Sequence, residues 1–360
     1  MANLKRSLRR RPAQIAAAAL ALALLLAAAA QPPAPATAPA PRDWHAFPAI
    51  LQLHTDQDVY ALGDIHADYD KAAKLLVGAG LLAKIPASPA DAQWSGGKCV
   101  LVCTGDMIDK WNHSLEVLQL MQALQTSAAQ RGGQVIVTLG NHEAEFLAFA
   151  GDDKKAAEFG NELLAKGIQP ADVAAGKDRL GIGQWLRTRP IAAKVNDSFF
   201  CHAGNTFGAT LAQLEASIQT GVDKDGFAAA VLSEPNSILE AKLAPVPWWM
   251  RTPATQTATP PGAAPGESAG PAALKKYVAA LGCTRMVMGH QPGKINFGGG
   301  IERKAGEPFA YEGLLFLIDV GMSQGVQNSP GIVLKIHHGA GKGIGAMDET
   351  GKETLLWPRP

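Results

Sequence analysis

Short apolar runs alternate along this chain with longer stretches in which apolar residues recur every three or four positions. DVYAL (58–62), KCVLVCT (98–104) and QVIVTL (134–139) have the length and β-branched content of strands buried on both faces. Between them, DYDKAAKLLVGAG and HSLEVLQLMQALQ (113–125) carry helical spacing, and the first is closed by glycine. A further helix is predicted from about Glu143, and residues 152–190 and 206–243 read as mostly helical. KVNDSFFCH, after Ala193, reads as one strand running into a loop. Residues 273–281 read as a helix and RMVMG (285–289) as a strand, with LLFLIDV (314–320) and GIVLKI (331–336) as the last two strands. Strands separated by helices, without a tandem repeat, predict an α/β fold whose sheet is covered on both faces.

The N-terminus departs from this pattern. Lys5, Arg6, Arg9, Arg10 and Arg11 precede an apolar run over residues 15–30 that ends in small residues, the layout of a secretory signal peptide. The run is shorter than the roughly 20 residues that span a bilayer. Export to the periplasm is therefore expected, with membrane anchoring by an uncleaved segment as the alternative. The chain divides into a signal peptide (1–30), a Pro/Ala-rich tether (31–42), one catalytic domain (43–345) and a C-terminal tail (346–360). The domain is read with a helical insertion at 152–190, where Asp152 and Asp153 look like N-terminal capping acids. The low-complexity stretch at 252–271 is read as a mobile surface loop.

Composition narrows the function classes. A hydrophobic share of 47% with 18% charged residues is not that of a disordered chain. Lys and Arg number 33 against 32 Asp and Glu; without the five bases of the first thirty residues, 28 face 32 and the net charge is −4. Such a chain has no electrostatic reason to track a nucleic-acid polymer. Four cysteines exclude a disulfide scaffold. Cys103 and Cys201 each end a predicted buried strand and read as small core residues.

The candidate chemistry lies in five segments: GDIH (63–66), GDMIDK (105–110), GNHE (140–143), CHAG (201–204) and GHQ (289–291). Each follows a predicted strand and places Asp, Asn or His directly after it. Ligands of α/β sheets gather beyond the carboxyl ends of strands, so five such ends can bring these groups into one crevice. Glycine beside each polar residue permits the sharp turn from strand to loop. Carboxylates, an amide oxygen and imidazoles suit Mn, Fe or Zn. Because a carboxylate can bridge two cations, the set suits a two-metal site with ions about 3.5–4 Å apart, holding a hydroxide and neutralising a phosphoryl group.

The order GDxH, GDxxD[RK], GNHE, HxG, GH resembles the calcineurin-like metallophosphoesterases over roughly residues 57–336. GNHE with the single His of GHQ looks most like the phosphoprotein phosphatase branch, in particular its bacterial and Shewanella-like members. The resemblance implies mixed β-sheets forming a sandwich flanked by helices, with a dinuclear site at the carboxyl ends of the strands. It implies one metal on Asp64, His66 and Asp106, with Asp106 bridging to a second metal completed by Asn141, His202 and His290. His142 would be the general acid, oriented by Asp109, while Lys110, Asn141 and Arg251 of PWWMR (247–251) would contact the phosphate. Glu143 is read as loop support and LIDVGMS (317–323) as scaffold. Two departures stand out: Lys110 occupies the place of the family's Arg and offers a point charge instead of a fork, and Ala67 replaces a Gly, which requires an unstrained backbone there.

These readings converge on an exported, metal-dependent phosphomonoester hydrolase acting on a phosphorylated protein or small phosphoester through a metal-bridging hydroxide. It would have no stable membrane association unless the leader is retained. Two alternatives stay open. One is a nucleotide or dinucleoside polyphosphate hydrolase. The other is a catalytically inactive metal- and phosphate-binding protein, which Lys110 and Ala67 would permit.

Overall fold

The computed structural model describes residues 42–150, 156–251, 270–339 and 343–358. The predicted leader and the tether up to residue 41, Asp152 and Asp153, and residues 252–269 of the low-complexity stretch lie outside the described residues. In chain order the elements begin with β1 (Ile50–Leu53), β2 (Val59–Leu62), α1 (Tyr69–Gly78), β3 (Val100–Cys103), α2 (Ser114–Gln130), β4 (Gln134–Val137) and α3 (Asn141–Phe149). Three short helices follow, α4 (Ala157–Ala165), α5 (Pro170–Ala174) and α6 (Ile182–Arg187), then β5 (Ala192–Val195), β6 (Ser198–Cys201), α7 (Leu211–Asp225), α8 (Ala230–Ser233) and α9 (Pro271–Ala280). The chain continues as β7 (Arg285–Met288), β8 (Ile295–Gly298), β9 (Ile301–Arg303), β10 (Phe309–Tyr311), β11 (Leu315–Leu317), β12 (Val333–Ile336), β13 (Ile344–Met347) and β14 (Glu353–Trp357).

Twelve of these strands form two six-stranded mixed sheets, ordered β1-β5-β6-β7-β11-β10 and β14-β13-β12-β2-β3-β4; β8 and β9 make a separate hairpin. Period-two alternation divides the side chains of each central strand between two cores. Val59, Ala61, Val100, Val102 and Ile136 from one sheet pack with Ala193, Val195, Phe200, Val287 and Phe316 from the other. Their neighbours Tyr60, Leu62, Leu101, Cys103, Phe199 and Cys201 point the other way, into the core beneath the helices. Each central strand is thus apolar on both faces, which explains the unbroken runs VLVC and SFFC. The architecture is the sandwich flanked by helices that the sequence resemblance implied.

The topology positions the site. β2, β3 and β4 are parallel neighbours in one sheet, and β6 and β7 are parallel neighbours in the other. All five motif segments begin at the carboxyl ends of these strands.

Several elements differ from the sequence expectation. KVNDSFFCH is not one strand but the antiparallel hairpin β5–β6, reversed at Asn196 (φ 54°) and Asp197; Asn tolerates the left-handed conformation such a turn needs. β1 adds to β5 in parallel and had no counterpart in the sequence reading. The last strands are not those at 314–320 and 331–336. β13 and β14 extend the second sheet antiparallel, so 346–360 is not a tail but contains the end of β13 and all of the edge strand β14. Their signal was hidden by Gly345 within the four-residue β13 and by a β14 that is largely exposed, so its residues need not be apolar. α3 starts at Asn141, two residues before the expected Glu143, which becomes a first-turn residue. Within 206–243 helix is confined to residues 211–233. All four cysteines are free thiols.

Candidate metal centre

Asp106 lies at the middle of the site. Its Oδ2 is 3.5 Å from His66 Nε2 and 3.3 Å from His202 Nε2. Its Oδ1 accepts the His142 N–H at 3.1 Å. Asn141 Oδ1 and His290 Nδ1 approach His202 Nε2 to 2.9 and 3.0 Å. Two triads of ligand atoms result, His66–Asp106–His142 and Asp106–His202–His290, sharing Asp106. Asp64 stands outside both triads; its carboxylate receives the His290 N–H at 2.9 Å on Oδ2 and 3.1 Å on Oδ1, tying the β2 loop to the β7 loop.

The tautomers decide what this cluster can hold. His202 Nδ1 lies 3.0 Å from the Thr104 carbonyl and His66 Nδ1 lies 3.1 Å from the Ile108 carbonyl. A carbonyl only accepts, so each Nδ1 carries the proton and each Nε2 presents a lone pair in the neutral ring. The lone pair of His202 then faces the acceptor oxygens of Asp106 and Asn141. Such a concentration of acceptors, all buried, calls for a cation. The residues present therefore fit a pair of divalent ions sharing Asp106.

Electrostatics agree. Burial works against charging His202, but the Asp106 and Asp64 carboxylates hold its pKa up at about 10. The same negative field that retains a proton there favours a metal ion. Burial, aided by His142 and His202, pushes His66 down to about 4, despite Asp106. Asp106 resists burial and stays well below the usual carboxylate range, because His202, His142 and His66 surround it.

His142, a member of the first triad, also pairs with Asp109. His142 Nδ1 is 2.9 Å from Asp109 Oδ2, and the Asp109 side chain is fully enclosed. The second oxygen, Oδ1, accepts the Phe159 N–H at 2.8 Å, so the insertion helix α4 helps to aim the carboxylate. Burial opposes the imidazolium, but Asp106 and Asp109 raise the His142 pKa to about 9. The geometry is that of a proton donor oriented by a carboxylate.

The loops are held by groups the sequence reading had only as support. Glu143 Oε2 accepts N–H groups of Asp106 (2.9 Å) and Gly140 (2.8 Å), and Oε1 those of Met107 (2.7 Å) and Ile108 (3.2 Å). One buried carboxylate thus fixes both the GDMIDK turn and the start of α3. Three candidate ligands sit in the left-handed region, His66 (φ 44°), Asp106 (φ 51°) and His290 (φ 63°), a conformation rare for such residues and concentrated at functional sites. Ala67, expected in an unstrained backbone, is in fact left-handed at φ 57° and is held there by its N–H to the Met107 carbonyl, 2.8 Å.

Lys110 is exposed, and its charge acts on His142. Arg251 is engaged elsewhere: its guanidinium bonds Val246 O (3.0 Å), Asn236 Oδ1 (2.6 Å) and the Lys242 carbonyl. Two positions were missed. Asp319, inside LIDVGMS, is buried beside Asp64, and that burial lifts its pKa to about 6. Gln291, the residue after His290, is also buried and anchors a neighbouring segment. Their only sequence signal was a polar residue directly following, or lying within, an apolar strand.

The sequence pattern of the calcineurin-like phosphoesterase family matches residues 58–294. Over 343 residues the chain is 26% identical to Shewanella-like protein phosphatase 2 of Arabidopsis thaliana, covering 82% of this chain and 79% of that protein. A 94-residue stretch is 37% identical to an uncharacterized protein of Schizosaccharomyces pombe, of which the chain spans 26%. Another 146 residues are 30% identical to the symmetrical bis(5'-nucleosyl)-tetraphosphatase of Methylococcus capsulatus, of which the chain spans 42%. Among solved structures, the cold-active protein-tyrosine phosphatase of a Shewanella species superposes with a TM-score of 0.60 at 21% identity, covering 85% of this chain and 82% of that one. That last likeness is one of fold.

Proposed function

The chain belongs to the calcineurin-like phosphoesterase family, and from that premise we propose that it hydrolyses phosphomonoesters in the manner of a phosphoprotein phosphatase. The observation that carries this reading is the His142–Asp109 pair, 2.9 Å apart and set against the Asp106 cluster. A protein that only bound metal and phosphate would have no use for an oriented proton donor, which weighs against the inactive reading.

Asp64, His66, Asp106, Asn141, His202 and His290 would hold two divalent cations, for which Mn, Fe or Zn suit the donors. Bound there, the cations supply Lewis-acid charge and an activated water. The remaining steps fall to side chains of this chain. Asp109 fixes the His142 tautomer with the proton-bearing Nδ1 toward itself and so orients the ring beside the Asp106 cluster. His142, whose imidazolium the Asp106 and Asp109 carboxylates favour, would protonate the leaving oxygen as the ester bond breaks. Asn141 sits in the first turn of α3 beside the reacting centre, and Lys110 contributes positive charge to the phosphate.

Phosphoprotein is favoured over dinucleoside polyphosphate as substrate because the Shewanella-like phosphatase aligns along most of its length, whereas the tetraphosphatase aligns along less than half. The test is hydrolysis of para-nitrophenyl phosphate, phosphopeptides and dinucleoside polyphosphates with Mn²⁺ and with a chelator. The expected result is chelator-sensitive turnover of the monoesters. Turnover that ignores the chelator contradicts the reading, and preference for the dinucleotides transfers it to the alternative.

Export to the periplasm is proposed on residues 1–30 alone. Among the described residues no helix is long and apolar enough to cross a membrane. N-terminal sequencing of the protein from a periplasmic extract should start near residue 31; a retained Met1 in the membrane fraction would replace export with anchoring.

A further inference from the structure

Residues 236–243 form an irregular strap laid across the loops that carry His202 and His290. On one side Ile238 O accepts the N–H groups of Ala203 (3.0 Å) and Gly204 (3.1 Å), and Asn236 O accepts Asn205 Nδ2 (2.7 Å). On the other side the buried Gln291 amide brackets a single residue. Its Oε1 accepts Leu243 N–H at 3.2 Å, and its Nε2 donates to Ala241 O at 2.9 Å. Between those two anchors lies Lys242. Ala241 and Leu243 are both 0% exposed, whereas Lys242 is exposed. Arg251 completes the frame by donating to the Lys242 carbonyl and to Asn236 Oδ1.

The strap therefore pins the Lys242 backbone next to a metal ligand while leaving its ammonium outside the core. The bracket comes from Gln291, the residue directly after His290, much as Lys110 directly follows Asp109, the partner of His142. Neither lysine has a side-chain hydrogen bond or ion pair among the described residues. Two exposed lysines thus belong to loops of the Asp106 cluster, Lys110 next to Asp109 and Lys242 within the segment anchored by Gln291. Arg251, by contrast, would have to leave several acceptors, two of them on the strap, to reach a phosphate.

We propose that Lys242 is the residue that grips a substrate phosphate oxygen on the His290 side of the cleft, with Gln291 and Arg251 as the positioning residues that hold it there. The proposal rests on the phosphomonoesterase reading and names the group that recognises its phosphate. A dianionic phosphoryl group between Lys110 and Lys242 would make a charge-assisted hydrogen bond with each, while the cations below it carry the rest of its charge. Free phosphate, the product, would be recognised in the same way.

The test uses the full chain loaded with Mn²⁺, comparing wild type with K242M, K242R, R251M and the double variant K242M/R251M. Readouts are KM and kcat for para-nitrophenyl phosphate, Kd for inorganic phosphate by calorimetry, and metal content. K242M should raise KM and the phosphate Kd about tenfold or more, the loss of one charge-assisted hydrogen bond, with kcat changed less and metal content unaltered. K242R should recover most of the loss. R251M should weaken phosphate binding in the same direction, and the double variant should be no worse than K242M by more than about twofold, because both act through one ammonium. An unchanged phosphate Kd in K242M overturns the proposal, as does loss of metal in that variant. Losses that multiply in the double variant also overturn it, since they give Arg251 a phosphate contact of its own. A wild-type protein with neither turnover nor phosphate affinity refutes the underlying reading instead.

Discussion

His142 shows how one side chain acquires a role from its surroundings. An imidazole with an ordinary pKa would be largely neutral at pH 7.5. Here Asp106 and Asp109 outweigh the cost of burial and raise its pKa to about 9. The sign of the effect on rate follows. The proton is bound below that value and lost above it, so a general-acid step is supported at neutral pH and fails on the alkaline side. Bound cations oppose the imidazolium, so the alkaline limb of kcat should lie below about 9 in the loaded enzyme. Asp109→Asn removes one of the raising carboxylates and should move that limb to lower pH. His142→Asn should lower kcat on the order of 10²- to 10⁴-fold while retaining metal. A pH–rate profile of Asp109→Asn that superposes on wild type would remove His142 from the acid role. The type and order of these residues were legible in the sequence; Ala67 was misjudged, because the letter alone does not reveal that its backbone is left-handed.

At the scale of elements, the glycines of the strand-end loops serve both turning and close approach. Gly105 (φ 90°) and Gly204 (φ 81°) take the sharp turn that the sequence reading expects of glycine. Gly140 (φ −93°) instead has an ordinary backbone, and a Cβ there would come within 2.1 Å of Asp106 Oδ1 and 2.4 Å of its backbone N. At Gly289 a Cβ would meet Asp64 Oδ1 at 2.2 Å. These glycines let α3 and the β7 loop seat against carboxylates of two other loops. Gly140→Ala should therefore displace Asp106 and lower kcat/KM by about 10², the usual consequence of misplacing catalytic groups by an ångström. The fold should survive with a loss of about 1–3 kcal/mol, as for overpacking. Near-wild-type activity in that variant would show that the loops do not depend on this contact. The insertion also proved to be more than an appendage: Phe159 of α4 donates to Asp109, and Glu162 accepts the first two N–H groups of α2, Ser114 (2.8 Å) and Leu115 (3.0 Å). No local pattern announced these links, because they depend on which surfaces meet.

For the whole molecule, the class was legible and the partition was not. Strands apolar on both faces signal burial, but VLVC of β3 and SFFC of β6 read alike although they lie in different sheets. The hairpin β5–β6 and the edge strands β13 and β14 escaped for the opposite reason, since a polar turn and half-exposed edges weaken the apolar signal. What survived was the logic of strand ends: five loops from two packed sheets meet at Asp106 and its neighbours, and the family match spans them. Elemental analysis of the protein as purified, in wild type and Asp106→Asn, tests that convergence most directly. The account expects about two transition-metal ions per chain in wild type, and one or none in Asp106→Asn with an unchanged circular dichroism spectrum. A wild-type protein without stoichiometric metal, or an Asp106→Asn variant that keeps both ions, would contradict it.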